Sequence, residues 1–187
     1  VSYGSLSFTP GQLKLGTELK ASDASSGVNS DGRFSKWSLD VARMQSTGME
    51  GLTLFGHLSG QWANKNLDSS EKFGLGGASG VRAYPTGEGF GDEGWLAQLE
   101  VRYQMGEFSP YAFYDAGSVR LHAKAAGITP APLFHERSIA GAGVGARYVQ
   151  GRWSADLALA WRTQGGVPEA DTTRRNPRAW LTVSYRY

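Results

Sequence analysis

The chain of 187 residues contains no cysteine. This absence excludes disulfide scaffolds, thiolate nucleophiles and zinc sites built from cysteine. Charged residues are also scarce, since they make up 19% of the chain and leave a formal net charge of only +2. Nucleic-acid-binding domains carry a strong basic excess, so nucleic acid is not expected as a partner. No stretch approaches the ~18 consecutive apolar residues of a membrane-spanning helix.

The start of the chain does not look like a secretory leader, in which a basic segment precedes an apolar one. It begins at Val1-Ser2-Tyr3, inside a segment that is patterned like a strand. We therefore expect a mature protein or a fragment from which the signal peptide is absent.

Glycine and large aromatic residues are abundant, with 26 glycines, six tryptophans and eight tyrosines. The apolar residues follow a period of two, which is typical of strands and not of helices. In residues 151–163, for example, Trp153, Leu157 and Trp161 fall on one face and Asp156 falls on the other. Such a segment is predicted to be a strand with one apolar face and one small or polar face.

Eight segments show this pattern, at residues 2–15, 33–45, 50–63, 93–105, 109–122, 137–149, 152–163 and 177–187. Short connections (Ser46–Met49, Gly106–Phe108 and Gln150–Gly151) alternate strictly with long ones at residues 16–32, 64–92, 123–136 and 164–176. Tight turns alternating with long loops are the layout of a bacterial outer-membrane barrel. The sequence therefore predicts an all-β fold, an antiparallel transmembrane β-barrel of which eight strands are present.

A soluble up-and-down barrel such as a lipocalin shares this strand period but has an apolar interior. Aromatic residues near the strand ends favour the membrane barrel; they are Trp37, Trp62, Trp95, Tyr103, Tyr148, Trp153, Trp161, Tyr185 and Tyr187. A closed soluble core would also have to bury, at high cost, the charged residues of the opposite face. Those residues are Lys36, Asp40, Glu100, Arg102, Arg147 and Asp156.

The long connection 64–92 exceeds a simple hairpin, and loops of this length are usually functional or disordered. Residues 75–95 read LGGASGVRAYPTGEGFGDEGW. This run resembles the signature of the haemolysin secretion/activation transporters, the ShlB/FhaC/HecB or TpsB group, in the superfamily that includes the barrel-assembly factor BamA. The V-R-G-[FY] motif of the resembled family corresponds to Val81, Arg82, Ala83 and Tyr84, with alanine in place of the usual glycine.

A second motif of that family, F-x-D-x-G, corresponds to Phe113, Asp115 and Gly117. The resemblance implies that the long loop folds back into the barrel lumen and that Arg82 pairs there with Asp115. The period of two agrees with this pairing, because all three motif residues fall on one strand face. Such a pair would be charge-assisted, with Glu100 on the neighbouring strand as a candidate second acceptor. Gly117 would leave room for the loop backbone.

The resemblance also implies an architecture and a function for the complete protein. Members of the family have a signal peptide, a plug helix, two periplasmic POTRA domains and a barrel of sixteen strands. Residues 1–187 would form the C-terminal half of that barrel, without the POTRA domains. The implied function is an outer-membrane, porin-like pore that secretes and activates a large haemolysin- or adhesin-type partner in two-partner secretion. Outer-membrane lipid, lipopolysaccharide and the barrel-assembly machinery are further implied partners.

Two alternative functions stay open. A naturally short eight-stranded barrel of the same superfamily could have a structural or assembly role, alone or as a dimer. A barrel-embedded enzyme is the other alternative, but the sequence has no G-x-S-x-G nucleophile elbow. We therefore predict no catalytic residue and no cofactor.

Two further patterns bear on possible sites. His57, His122 and His135 lie in three different segments without the spacing of metal ligands, so no metal site is predicted. A glycine stripe at residues 141, 143 and 145 has two interpretations: it clears space for the infolded loop, or it permits the barrel wall to bend.

Overall fold

The computed structural model describes residues 1–131, 135–172 and 174–187. Eight long strands account for most of the chain: β1 (Ser2–Leu13), β2 (Gly32–Ser46), β3 (Leu52–Ala63), β6 (Glu93–Tyr103), β7 (Phe108–Arg120), β8 (Glu136–Gln150), β9 (Trp153–Gln164) and β10 (Arg178–Tyr185). Three short elements lie within the connection between β3 and β6, namely a 3₁₀ turn (Ser69–Glu71), β4 (Phe73–Gly74) and β5 (Phe90–Gly91).

The eight long strands form one antiparallel sheet in the order β1-β2-β3-β6-β7-β8-β9-β10, so strands that follow one another along the chain are neighbours in the sheet. The prediction of eight antiparallel strands is confirmed, with boundaries that differ by one or two residues. The largest differences are of two residues, as at β10, which ends at Tyr185 and not at Tyr187, and at β6, which ends at Tyr103 and not at residue 105. The tight turns contain Gly106 and Gly151, whose positive φ angles of 61° and 57° suit glycine.

One helix corrects the sequence interpretation of residues 16–32 as an irregular loop. Helix α1 spans Thr17–Ser26 and ends at Gly27, which has the left-handed conformation common at helix C-termini. None of its residues is buried. A helix with no apolar stripe leaves no 3.6-residue period in the sequence, which is why the pattern did not reveal it.

The two faces of the sheet differ in chemistry. On β6, Trp95, Leu99 and Val101 point to the outer face and are exposed, whereas Leu96 and Glu100 on the inner face are buried. The same alternation appears on β7, where Tyr111, Phe113, Asp115 and Gly117 are buried and the residues between them are more exposed. The outer face is therefore apolar and open, and the inner face holds the charges.

The buried core lies between the inner face and the connection 64–92. Loop and strand residues contribute to it together: Leu75, Val81, Ala83 and Tyr84 pack against Leu96, Tyr111, Phe113, Val119, Ile139, Ala158 and Ala160. Residues 64–92 thus cover the inner face of the sheet as a second layer would.

β1 and β10 are the two edges of the sheet, and the described residues contain no ladder between them. Each strand has one neighbour, β2 for β1 and β9 for β10. Among the described residues, no helix is long and apolar enough to cross a membrane.

Candidate functional site

The connection 64–92, which we call the inner loop, has an ordered structure of its own. β4 and β5 pair at its base, and backbone hydrogen bonds join Leu75 to Gly89 and Val81 to Leu75. The tip turns so tightly that a Cβ on Gly80 would lie 1.9 Å from the Leu75 carbonyl oxygen. Glycine is therefore required there for the chain to reverse.

The tip of the inner loop crosses the strands along a single row of the sheet. Gln98, Asp115 and Gly141 are successive cross-strand partners on β6, β7 and β8. The Gln98 side chain donates to the Gly80 carbonyl oxygen at 2.9 Å, Arg82 binds Asp115, and Ala83 sits directly over Gly141. The loop thus meets one residue on each of three neighbouring strands.

Arg82 is the polar centre of this contact. Its Nε and Nη2 atoms donate to the two carboxylate oxygens of Asp115 at 2.8 and 2.7 Å, which is a bidentate pair. Its backbone amide donates to the same carboxylate at 3.1 Å. Nη1 donates to Glu100 at 2.6 Å, so Glu100 takes the place of second acceptor. The side chains of Arg82, Asp115 and Glu100 are 6%, 0% and 4% exposed.

Two aromatic residues hold Arg82 from other directions. The guanidinium carbon lies 3.6 Å from the centre of the Phe113 ring, in cation–π geometry. The indole Nε1 of Trp180 on β10 donates to the Arg82 carbonyl oxygen at 2.7 Å. Arg82 is therefore bound by strands β6, β7 and β10 at once.

Glu100 joins Arg82 to a wider network of charges. Its second oxygen accepts from Arg102 at 2.7 Å and from Arg147 at 3.1 Å. Arg147 also donates to Asp156 at 2.6 Å. Three arginines and three carboxylates thus balance one another on the inner face, which lets charge remain buried at low net cost.

This arrangement makes the Arg82–Asp115 pair hard to break from one side. Removing one partner of a buried ion pair leaves an uncompensated charge and costs about 3–5 kcal/mol. Asp115, which is fully buried, receives three hydrogen bonds from Arg82. Withdrawal of the loop would therefore leave this carboxylate without those donors.

The remaining residues of the tip motif fix the loop on both sides of Arg82. Val81 and Tyr84 are fully buried. The Tyr84 hydroxyl shares its one proton between the carbonyl oxygens of Gln164, the last residue of β9, and Gly166, at 2.6 and 3.0 Å. The motif thus reaches from β6 to the end of β9.

A second buried carboxylate secures the loop nearer its base. Glu88, whose side chain has no exposure, binds Arg137 of β8 at 2.6 Å. Its other oxygen accepts from the backbone amides of Glu169 and Ala170 at 2.8 and 2.9 Å. Glu88 therefore ties the inner loop to the connection between β9 and β10, a contact that the sequence did not predict.

The glycines of the inner face make room for specific neighbours. A Cβ on Gly117 would lie 2.6 Å from the Leu75 side chain, so the space there is used by a loop side chain and not by the loop backbone as expected. A Cβ on Gly141 would lie 2.4 Å from the Cβ of Ala83. At Gly143 and Gly145, by contrast, it would meet the rings of Phe113 and Tyr111 at 2.3 Å. One glycine of the stripe thus admits the loop, and two admit rings.

Sequence reasoning missed two residues that bind the loop tip, Trp180 and Gln98. Trp180 stands among Thr182, Ser184 and Arg186 on the polar face of the last strand, and a lone tryptophan there is a usable signal. For Gln98 no local signal exists, because its contact with Gly80 depends on strand register. The described residues contain no group of three or more side chains that could hold a metal ion.

The family model of the haemolysin secretion/activation protein ShlB/FhaC/HecB matches residues 2–148, which include the inner loop and its contact residues Gln98, Asp115 and Gly141. The chain belongs to this family. Relatives include the heme/hemopexin transporter protein HuxB of Haemophilus influenzae strain 86-028NP, 33% identical over 121 residues. That match covers 62% of this chain and 21% of the relative.

HuxB of Haemophilus influenzae strain Rd is 43% identical over 65 residues, which cover 32% of this chain and 12% of the relative. The chain thus matches about a fifth or less of the length of these curated relatives. Among solved structures, CdiB from Acinetobacter baumannii has a similar fold, with a TM-score of 0.56 and 19% identity. This likeness covers 81% of the chain and 26% of CdiB.

Proposed function

We propose that the complete protein is an outer-membrane pore that exports a large protein partner in two-partner secretion. In this proposal residues 1–187 form the C-terminal half of a sixteen-stranded barrel domain, and POTRA domains belong to another part of the protein. Membership of a transporter family supports export as the function and gives no reason to expect catalysis. Activation of a haemolysin-type partner is part of the same proposal.

The outer face of the sheet supports a position in lipid. Apolar and aromatic side chains alternate along the strands and are exposed on this face, among them Trp37, Leu99, Val144, Trp161 and Leu181. In water such a surface would be a liability, whereas a bilayer accommodates it and an aromatic girdle lies at its interfaces. Outer-membrane lipid and lipopolysaccharide are therefore the proposed surroundings, and the barrel-assembly machinery is the proposed insertion partner.

The two sheet edges support the larger barrel. A strand edge left open in lipid would carry unpaired backbone groups, which is costly, so β1 and β10 need neighbours. The rival arrangement, eight strands closed on themselves, needs a ladder between β1 and β10 that the described residues lack. A sixteen-stranded ring would give each edge a partner strand from the rest of the protein.

The inner loop is the proposed gate of the pore. It lies over the polar inner face, along which an unfolded polypeptide could pass in water without chemistry or ATP. Val81, Arg82, Ala83 and Tyr84 would hold the loop in a defined state against Asp115, Glu100 and the Phe113 ring. Gly117 and Gly141 would supply the space that this state requires.

The observation that carries the proposal is the buried, bidentate Arg82–Asp115 pair between the inner loop and the sheet. The test is secretion of the partner protein, together with pore conductance in planar bilayers, by the intact transporter carrying Arg82→Ala or Asp115→Ala. We expect both variants to secrete less and to conduct differently from the wild type. Arg152→Ala, in the exposed turn after β8, is the matched control. Normal secretion and conductance in both loop variants would contradict the gate.

A further inference from the structure

A second anchor of the loop tip runs through a histidine. Gln98 donates from Nε2 to the Gly80 carbonyl oxygen at 2.9 Å, and its Oε1 faces Nδ1 of His57 at 3.0 Å. The other ring nitrogen of His57, Nε2, faces Oδ2 of Asp40 at 2.9 Å. A chain of contacts therefore joins Asp40, His57, Gln98 and Gly80 across β2, β3 and β6 to the loop.

The hydrogen-bonding capacities of these groups fix the proton count. The amide of Gln98 has to present its NH₂ group to the Gly80 carbonyl, since the opposite orientation would set two oxygens against each other. Its oxygen then needs a donor from His57 Nδ1. An ionised Asp40 can only accept, so Nε2 also has to carry a proton. His57 is therefore a protonated imidazolium beside the ionised Asp40 carboxylate, with one proton more than a neutral imidazole would carry.

Few other titratable groups face this histidine. On its own sheet the contacts are Asp40 from β2 and Gln98 from β6, and the Tyr3 hydroxyl of β1 interacts with the same Asp40 carboxylate. From the loop side it faces a cavity of about 500 Å³. Residues 78 and 79 of the loop line this cavity with His57, and its charged members are Arg82, Glu100, Arg102, Arg147 and Asp156. Those five charges already pair with one another, with Arg82 also bound to Asp115.

We propose that His57 is a positioning residue of the loop tip. Its second proton makes the hydrogen bond from Gln98 to the Gly80 carbonyl oxygen dependent on pH. This inference rests on the proposed function only in assigning the loop a role in the pore. When the pair loses its extra proton, the carboxylate retains the Nε2 proton because a charged acceptor binds it more strongly. Nδ1 then becomes an acceptor opposite the Gln98 oxygen. Gln98 relieves this by reversing its amide, which removes the donor from Gly80.

The consequence is a loop tip with two anchors of different kinds. The Arg82 guanidinium stays protonated across the neutral pH range, so its bonds to Asp115 do not depend on the histidine. The Gln98–Gly80 bond depends on the histidine, whose ordinary pKa of about 6.5 lies within that range. Acid therefore holds the tip by both anchors, and alkali leaves only the ion pair.

A spin label at position 79 tests this inference without relying on transport. The chain has no cysteine, so Ser79→Cys gives one labelling site in it, next to Gly80 on an exposed part of the tip. The intact transporter is labelled and reconstituted, and label mobility is compared at about pH 5.5 and about pH 8.5, which bracket the imidazole pKa. We expect the population of mobile tips to rise about fivefold at the higher pH, as the loss of one hydrogen bond implies.

Two variants make the test specific. Asp40→Asn places an amide donor opposite Nε2, so a neutral His57 can accept there and still donate to Gln98; the tip is expected to stay held at both pH values. Gln98→Met removes the donor to Gly80, so the tip is expected to be mobile at both. A wild type without a pH response, or an Asp40→Asn variant that keeps one, would overturn the inference.

Conductance of the same samples separates this inference from the proposed function. If Arg82→Ala opens the pore but the label ignores pH, the gate stands and the histidine anchor fails. If the label follows pH as expected but neither pH nor Arg82→Ala changes conductance, the histidine anchor stands and the gate fails.

Discussion

Two long connections lie at the same end of the sheet, and one of them stays on the surface whereas the other is buried against the sheet. The one between β1 and β2 forms helix α1, none of whose residues is buried. The inner loop, between β3 and β6, contributes Leu75, Val81 and Tyr84 to the core with no exposed surface. Length does not explain this difference, because a long loop can remain outside a fold as readily as it enters one. The difference lies in the residues of the sheet that accept the side chains of the loop, which we call its receptors.

For the inner loop those receptors are a buried acid and glycine-lined spaces. Asp115 accepts Arg82, Gly117 admits Leu75, and Gly141 admits Ala83. The loop between β1 and β2, by contrast, makes polar contacts with itself and with other loop residues, since Lys65 and Asn66 at the start of the inner loop donate to its Asp31 and Val28 carbonyl oxygens at 2.6 and 2.8 Å. The Asp23 carboxylate accepts hydrogen bonds from Ser30 and Asp31, a few residues further along the same connection. Changes to the receptors should therefore affect one loop and spare the other.

Among the glycine-lined spaces, the largest effect is expected from filling the one beneath Ala83. In Gly141→Val, the new Cβ would lie 2.4 Å from the Cβ of Ala83 and 3.0 Å from the Trp161 carbonyl oxygen. Overpacking of this kind costs about 1–3 kcal/mol, and the loop tip should be displaced. Faster proteolysis of residues 64–92 in the reconstituted protein would report the displacement.

Gly56→Val is the matched control for that substitution. Gly56 also lies within a strand, but a Cβ there would only touch the Leu99 side chain at an ordinary 3.6 Å. Equal protease sensitivity of the inner loop in both glycine variants would argue against a receptor role for Gly141.

An effect of similar size is expected at the base of the loop. Glu88→Gln removes the charge that binds Arg137 while it leaves an oxygen for the amides of Glu169 and Ala170. The loss should be about 1–3 kcal/mol, since a buried charged partner is left incompletely paired. Hydrogen exchange at residues 169 and 170 should accelerate, and Glu18→Gln in α1, an exposed position, should leave it unchanged. Unaltered exchange in the Glu88 variant would show that this contact does not hold the two loops together.

The smallest effect is expected in the connection between β1 and β2. Burial opposes ionisation of Asp23, but hydrogen bonds from Asp31 and Ser30 outweigh it and hold the pKa of Asp23 below its ordinary value. A depressed carboxyl pKa stabilises the fold above the unfolded value of about 3.9, and this stability is lost as the pH falls through the lower folded value.

Asp23→Asn should therefore cost less than about 1 kcal/mol at neutral pH and nothing in strong acid. Hydrogen exchange at residues 30 and 31 measures it, with residues 75–84 of the inner loop as the internal reference. Faster exchange at residues 75–84 in this variant would mean that the contacts of the loop tip depend on the connection between β1 and β2.

Much of the fold could be predicted from the sequence, because apolar and polar residues alternate with a period of two along the strands. The eight strands and the two faces of β6 and β7 follow from residues such as Leu99 and Glu100 that alternate in polarity. Helix α1 could not be predicted, since it buries nothing and carries no apolar stripe. The structure has one antiparallel sheet of eight strands. The closure of this sheet into a larger barrel is part of the proposed function.

For the site, the family motifs named Arg82, Phe113 and Asp115, and Glu100 was a candidate second acceptor, but Gln98 and Trp180 were not expected. The contacts of Gln98 with Gly80 and of Trp180 with Arg82 join residues 18 and 98 positions apart. Such contacts depend on which residues stand opposite one another across the strands, and a period of two leaves that register undetermined. Trp180 differs from its polar neighbours on the same strand face, whereas Gln98 is one polar residue among several on its face.

The central claim is that the Arg82–Asp115 pair holds the inner loop on the sheet. A double-mutant cycle tests it most directly, with Arg82→Ala, Asp115→Ala and the double variant compared by the mobility of a spin label at position 79. We predict that each single variant frees the loop strongly and that the double variant adds little, so the coupling energy is close to the cost of one variant, about 3–5 kcal/mol. Two effects that simply add would contradict the claim.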